Sequence, residues 1–68
     1  MDTILIPIHC QKYLENIPES GMGYHKVDLY LTNGSILYDR IILNTKELVK
    51  LNYEELEAND IFYVKRFE

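Results

Sequence analysis

Cysteine, basic residues and long apolar runs are all scarce in this 68-residue sequence. Its one cysteine, Cys10, cannot form an internal disulfide, whereas small secreted domains usually carry an even number of cysteines. The longest apolar run, residues 4–8, is interrupted by Pro7 and falls far short of the roughly 20 residues that cross a bilayer. No positively charged start or cleavage site of a secretory signal is evident. The sequence therefore predicts a cytoplasmic protein with no membrane as partner.

Positive charge is also too scarce for a typical DNA-binding domain. Seven Lys and Arg residues stand against eleven Asp and Glu residues, which gives a net charge of −4. This charge repels the phosphate backbone, which supplies most of the non-specific affinity for nucleic acids. The basic residues are scattered, and only Lys65 and Arg66 are adjacent. Double-stranded DNA is therefore not an expected partner.

The composition nevertheless suffices for one folded domain. Hydrophobic residues make up 47% of the chain and charged residues 26%, which is the balance of a globular protein and not of a disordered one. A chain of 68 residues lies near the lower size for folding without disulfides or metals. We expect a single small β domain over residues 1–68.

The clearest strand pattern lies at residues 24–32, where aliphatic and polar residues alternate with a period of two. The aliphatic face of this strand consists of Val27, Leu29 and Leu31. An Asn33-Gly34 pair follows, and it predicts a two-residue type I′ hairpin turn. Residues 35–43 then form the returning strand.

A straight ladder would give this hairpin two mismatches. Val27 would face Arg40 on the aliphatic side, and Asp28 would face Asp39 on the polar side. A β-bulge within residues 38–40 would relieve both, because one extra residue turns the remainder of the strand over. We therefore favour the bulge over the straight ladder.

The bulge has a consequence for the two faces of the sheet. It predicts that Ile41 and Leu43 join the aliphatic face. Arg40 would then move to the polar face, near Asp28 or Lys26. Bulges also bend a sheet, so the same feature favours curling towards a barrel.

The segments before the hairpin predict shorter elements. Thr3 to Ile8 is rich in β-branched residues and predicts a first strand, which Pro7 restricts to an edge or a strand end. Cys10 to Ile17 fits a short helix or a loop. Residues 18–23 contain Pro and Gly and predict an exposed loop.

The segments after the hairpin have weaker patterns. Residues 44–52 fit either a capped helix or a loop that leads into a short strand. The spacing of Tyr53 and Leu56 suits a helical turn packed on the sheet. Ile61 to Phe67 predicts a closing strand. Together these segments predict an all-β fold: a small SH3-like barrel or a strongly curled antiparallel sheet with one or two short helical turns.

The string IPESGMGY, followed by VDLYLTNGS, YDRIILN and a late NDI, resembles a group of small hypothetical bacterial proteins with a G-M-G-Y, then V-x-L-x-x-G pattern. The similarity covers about Ile6 to Val64. The resemblance implies an SH3-like barrel. It implies no activity and no site residues.

Four residues on the polar face of the 24–32 strand are the candidate binding residues: Tyr24, Lys26, Asp28 and Tyr30. Tyrosine offers a large rigid surface with a polar tip, and it is enriched at binding interfaces. Tyrosines also cover the rim of a small core, so both interpretations stay open. Stacking of single-stranded bases is a further use of such a face, and the carboxylates among the same side chains oppose it.

Two sets of residues carry groups that are used in catalysis or metal binding. Asp28 and Asp39 could share a proton or hold a hard cation, but a shared proton requires burial, and the neighbours of both residues are polar. His9, Cys10 and His25 include metal ligands and a nucleophile, but adjacent His9-Cys10 lacks the spacing of zinc sites, and no orienting acid is evident. We therefore predict no catalytic residue, no metal site and no cofactor.

The sequence thus favours a non-enzymatic module that binds another protein or a second copy of itself as a homodimer. Contact would use the face from Tyr24 to Tyr30 or an open strand edge. Two alternatives remain open: binding of single-stranded nucleic acid on the aromatic face, and a small metal-dependent or hydrolytic enzyme. The acidic group, which we interpret as a solvated face, comprises Glu54, Glu55, Glu57 and Asp60.

Overall fold

Five antiparallel strands form one curled, half-barrel sheet in residues 2–51 and 54–66, which the computed structural model describes. The strands are β1 (Thr3–Leu5), β2 (Tyr24–Leu31), β3 (Ile36–Leu43), β4 (Glu47–Val49) and β5 (Ile61–Arg66). One helix, α1 (Ile8–Glu15), follows β1, and a 3-10 turn (Ala58–Asp60) precedes β5. The strand order is β1-β4-β3-β2-β5. The predicted mainly β fold with short helical elements is confirmed.

Proline sets the boundary between β1 and α1. β1 ends at Leu5 rather than at Ile8, because Pro7 lacks an N–H for a sheet ladder and adopts an extended backbone (φ −57°, ψ 151°) ahead of the helix. Its carbonyl accepts the first helical hydrogen bonds, from Cys10 N at 3.0 Å and Gln11 N at 3.1 Å. Of the two interpretations of the Cys10 to Ile17 segment, the helix is the correct one.

Of the two alternatives for the segment after β3, the loop that leads into a short strand is the correct one. Residues 47–49 form the short strand β4, which pairs with both β1 and β3. The helical turn predicted from Tyr53 and Leu56 is not seen in its described part, residues 54–57, and a 3-10 turn forms instead at Ala58–Asp60. Tyr53, which we expected to pack on the sheet, and Phe67, the expected end of β5, lie outside the described residues.

The turn between β2 and β3 differs from the predicted one. Leu31 N donates to Ser35 O at 2.9 Å and Gly34 N donates to Leu31 O at 3.0 Å, which leaves a three-residue loop of Thr32, Asn33 and Gly34. A type I′ turn needs positive φ at both Asn33 and Gly34. Only Gly34 has it, with φ of +92°, while the Asn33 side chain accepts a hydrogen bond from Ser35 N at 2.9 Å. The predicted two-residue turn is therefore wrong.

The predicted bulge is present in β3. Tyr38 and Asp39 together oppose the single residue Asp28 of β2. Asp39 adopts the left-handed conformation, with φ of +60°. Aspartate tolerates this conformation better than most residues, because its short side chain forms local hydrogen bonds. The bulge therefore separates the two aspartates that a straight ladder would have placed directly opposite each other.

Two one-residue offsets cancel along this hairpin. The extra loop residue shifts the pairs next to the turn, and the bulge shifts the ladder back, so that Val27 faces Arg40. Arg40 and Ile42 consequently point into the core, at 5% and 0% exposure, whereas Ile41 and Leu43 are half-buried. The prediction that Arg40 moves to the polar face while Ile41 and Leu43 turn inward is wrong. A bulge inverts the two faces only if the turn has the predicted two residues, and the third loop residue cancels that inversion here.

The buried Arg40 is accommodated by an ion pair with Glu54. Its two terminal nitrogens donate to the Glu54 carboxylate at 3.0 and 2.7 Å, and one of them also donates to Val49 O at 3.0 Å. These bonds from Arg40 hold the pKa of Glu54 below its usual value, although partial burial opposes them. Glu54 therefore does not belong to a solvated acidic face. It anchors the connection between β4 and β5 to β3.

The core lies between the sheet and α1. One buried cluster comprises Ile6, Cys10, Leu14, Val27, Leu29, Ile42, Leu48, Leu56, Ile61 and Val64. Burial of one such aliphatic side chain contributes about 1.5–3 kcal/mol. The inward residues of β2 are thus fixed by the core, and the alternate residues of the strand form the opposite face. No helix in the described part of the chain is long and apolar enough to span a membrane.

Candidate functional site

The predicted binding residues lie together on the outward side of β2. Tyr24, Lys26, Asp28 and Tyr30 are all half-buried, while the alternate residues His25, Val27 and Leu29 are buried in the core. This arrangement follows from the period of two along a strand whose other face is covered.

Strand β5 extends this surface. Tyr63 pairs with Tyr30, and Lys65 pairs with Asp28. We use the name outer face for these two residues of β5 together with Tyr24, Lys26, Asp28 and Tyr30 of β2. The sequence of β5 predicts a strand, but nothing in its local pattern indicates that this strand lies beside β2. Tyr63 and Lys65 were therefore missed as site residues.

A pair of stacked tyrosines is the main aromatic feature of the outer face. The rings of Tyr30 and Tyr63 are nearly parallel, at 7°, with centroids 4.4 Å apart. Phe62 packs edge-on against Tyr63 at 5.2 Å. Tyr63 is 40% exposed and Phe62 60% exposed. The stack fixes the Tyr63 ring while leaving much of it in contact with solvent.

At the other end of β2, a tight turn positions Tyr24. Gly21 lies so close to the Tyr24 ring that a Cβ atom at Gly21 would overlap it. Gly23 has φ of +85°, a conformation that glycine adopts without strain. Met22 lies at the tip of this turn and is 99% exposed. The glycines of the Gly-Met-Gly-Tyr string thus serve a local purpose, which is to hold Tyr24 at the edge of the outer face.

The charged residues of the outer face occur in both signs. Lys26 Nζ lies 3.4 Å from Asp39 Oδ1, and the two side chains are 42% and 59% exposed. Exposed ion pairs of this kind contribute little to stability. Asp28 Oδ1 accepts a hydrogen bond from the backbone N of Asp39 at 3.4 Å. The aspartates are thus linked through the backbone, and they are not a buried pair that shares a proton.

Two shallow grooves flank the outer face where α1 approaches β5. The larger, of about 410 Å³, is lined by Tyr13, Ile17, Asp28, Tyr30, Lys65 and Arg66. The second, of about 330 Å³, is lined mainly by apolar atoms of His9, Cys10, Tyr13, Tyr63, Val64 and Lys65. Tyr13 and Lys65 line both grooves, so the aromatic surface continues from the sheet onto α1.

Side chains of α1 cover the outer edge of β5. His9 Nε2 donates to Phe62 O at 2.6 Å, since a carbonyl can only accept. The backbone N–H of Val64 donates to the Cys10 sulfur. The backbone N of Arg66 donates to the Tyr13 hydroxyl at 3.3 Å. Helix side chains thus take the hydrogen-bonding positions that a sixth strand would otherwise occupy.

No protein-family model, curated protein or solved structure matches this chain. The resemblance to small hypothetical bacterial proteins therefore stays a prediction.

The residues with catalytic or metal-binding potential are separated in the structure. Cys10 is buried, and burial raises the pKa of its thiol, with the bond from Val64 opposing this to a lesser degree. His25 is 1% exposed and donates from Nε2 to Ile17 O at 2.7 Å. His9 is bonded instead to Phe62 O of β5. Within residues 2–51 and 54–66, no group of three or more His, Cys, Asp or Glu side chains is arranged to hold a metal ion.

Proposed function

We propose that this protein is a non-enzymatic interaction module that binds another protein chain through the outer face. The Tyr30–Tyr63 stack, with a ring that is fixed by its neighbour and 40% exposed, is the observation that carries the proposal. A fixed aromatic side chain loses little conformational freedom on binding and still offers a large contact area. We expect the module to work in the cytoplasm, because the chain has a single cysteine.

The outer face is a better candidate than a strand edge. β5 forms one edge of the sheet, and its backbone groups are already bonded to His9, Cys10 and Tyr13. β1 forms the other edge, but it has three residues and is followed by Pro7. Short edges and covered edges are the devices by which proteins prevent strand addition.

A protein partner also fits the outer face better than a single-stranded nucleic acid does. Stacking covers one side of both the Tyr30 ring and the Tyr63 ring, which leaves less ring surface for a base. Asp28 lines the same groove as Tyr30 and is bonded to the backbone of Asp39, so two carboxylates near the stack repel phosphates. Mixed charges with aromatic residues are, in contrast, common at protein interfaces.

Site-specific photo-crosslinking in the cells that produce the protein tests this proposal. A benzoylphenylalanine residue replaces Tyr63 on the outer face in one variant. In the matched control it replaces Leu51, which is 62% exposed and lies in the connection between β4 and β5. We expect protein adducts of defined mass from the Tyr63 position only.

A second substitution checks that the adducts depend on the outer face. Lys65→Glu reverses a charge two residues from the cross-linker, so it should reduce the yield if the partner lies across the outer face. Equal yields from the Tyr63 and Leu51 positions would overturn the proposal. Adducts that disappear on nuclease treatment would also overturn it, in favour of nucleic-acid binding.

A further inference from the structure

The outer side of β2 is complementary to itself. Its outward residues in order are an aromatic, a cation, an anion and an aromatic: Tyr24, Lys26, Asp28 and Tyr30. This order is symmetric in chemistry about Val27. Consider a two-fold axis that is parallel to the plane of the sheet, lies between the two copies above Val27, and is perpendicular to β2. Rotation about this axis places the β2 strand of a second copy face to face with the first and antiparallel to it. Lys26 then faces Asp28 of the second copy, and Tyr24 faces Tyr30 of the second copy.

We propose that the outer face binds a second copy of this chain in this two-fold, antiparallel arrangement. The inference rests on the proposed function, because it names the occupant of the same surface. A closed two-fold interface requires that each contact between two residues occurs twice, with the roles of the copies exchanged. The outward residues of β2 meet this requirement with two Lys–Asp contacts and two Tyr–Tyr contacts per dimer.

The arrangement pairs opposite charges within the interface. The chain as a whole carries a net charge of −4, so two copies repel each other at long range. Lys26, Lys65 and Arg66 lie around the outer face together with Asp28 and Asp39, so an interface between two copies has to place cations of one copy against anions of the other. The arrangement places Lys26 of one copy against Asp28 of the other, next to Asp39. The contact between Lys26 and Asp39 is exposed, at 3.4 Å, and a contact of this kind contributes little to stability.

The dimensions of the molecule set the expected affinity. The principal extents are 27 × 24 × 21 Å and the sheet curves around its core, so two outer faces meet on their convex sides and bury at most roughly 650 Å² per copy, or about 1,300 Å² in total. This value lies at the lower end of the range for specific interfaces. We therefore expect a dimer with a dissociation constant on the order of micromolar, in rapid exchange with the monomer.

A charge-exchange series measured by sedimentation equilibrium tests the proposal on the full chain. Lys26→Glu places two carboxylates opposite each other twice per dimer, and Asp28→Lys does the same with two ammonium groups. We expect each single substitution to weaken dimerisation at least about tenfold, since like charges in contact across an interface are strongly unfavourable. The double variant, Lys26→Glu with Asp28→Lys, restores opposite charges in both contacts. Its dissociation constant should return to within about threefold of the original.

Matched controls separate this effect from a change in net charge. Lys12→Glu and Glu15→Lys make the same changes of charge at exposed positions of α1. We expect both to dimerise like the original chain. Thermal melts of all variants show whether each one is folded before its dimerisation is compared.

The outcomes distinguish this inference from the proposed function. A dimer whose strength falls in the single variants and returns in the double variant supports the two-fold arrangement. A dimer that is indifferent to the series overturns it, because the copies then meet elsewhere. A monomer at every concentration up to about 1 mM also overturns it. In that case, cross-links from Tyr63 to a different protein leave the proposed function standing, and their absence removes both.

Discussion

The ion pair between Arg40 and Glu54 gives the sharpest prediction for stability. The Arg40 side chain is 6% exposed and the Glu54 side chain 19% exposed. Glu54 accepts three hydrogen bonds, two from Arg40 at 3.0 and 2.7 Å and one from Leu51 N at 3.1 Å. Removal of the carboxylate leaves a buried guanidinium with Val49 O as its remaining acceptor among the described residues. An unpaired buried charge is among the most destabilising changes in a protein core.

The size of the effect follows from which bonds survive. Glu54→Gln keeps one acceptor oxygen and loses the charge, so it should lower the free energy of unfolding by about 1–2 kcal/mol. Glu54→Ala loses all three bonds and should cost about 3 kcal/mol. A domain of this size has a total stability of only about 3–10 kcal/mol. Glu54→Ala would therefore retain only about 0–7 kcal/mol and would be partly unfolded at the lower limit, whereas Glu54→Gln stays mostly folded over the whole range and is the better variant for quantitative work.

Urea unfolding followed by circular dichroism measures these differences. Glu55→Gln is the matched control, because Glu55 is exposed and adjacent in sequence, and its effect should stay within about 0.5 kcal/mol. The double variant Arg40→Met with Glu54→Leu removes both charges, so it should be more stable than Glu54→Ala. Equal effects of Glu54→Gln and Glu55→Gln would refute the reasoning. A double variant no more stable than Glu54→Ala would refute it as well.

Three further predictions concern acid, the turn and the aromatic pair. The pKa of Glu54 is lower in the folded chain than its ordinary value of 4.5, so its contribution to stability is present above that pH and is lost as the pH falls through the folded pKa. Thermal melts between pH 6 and 3 should therefore show a smaller loss of stability on acidification in Glu54→Gln than in the original chain. Gly34→Ala should lower the free energy of unfolding by about 1–2 kcal/mol in urea titrations, because an alanine at φ of +92° is strained; no change would mean that the loop adopts another conformation. Tyr63→Ala should cost about 0.5–1.5 kcal/mol more than Tyr38→Ala in the same assay, since only Tyr63 stacks on Tyr30; equal costs would count against the stack.

The sequence pattern predicts the faces of β2 because they depend on one strand and a buried side. Tyr24, Lys26, Asp28 and Tyr30 could be assigned to one surface for this reason. The sequence likewise indicates a bulge, since Asp28 and Asp39 are unfavourable as direct neighbours.

The errors concern interactions between segments that are distant in the chain. An Asn-Gly pair is compatible with more than one hairpin loop, and the loop that forms depends on whether Arg40 lies on the buried or the exposed face of β3. An arginine on the aliphatic side looks like a mismatch until Glu54 is known to reach it from the connection after β4. Tyr63 was missed for the same reason, because its pairing with Tyr30 depends on the order of strands in the sheet.

The cover that α1 provides for β5 bears on the aggregation of this chain. Uncovered backbone groups at a sheet edge are templates for intermolecular pairing and, in the extreme, for amyloid. α1 has eight residues, which is too short for a stable isolated helix, so it stays in place through the burial of Cys10 and Leu14 in the core. The protective contacts of His9, Cys10 and Tyr13 are consequently lost only when the core itself opens. Resistance to fibril formation in this protein is thus tied to its global stability, and substitutions that weaken the core also uncover the edge at which fibrils would begin.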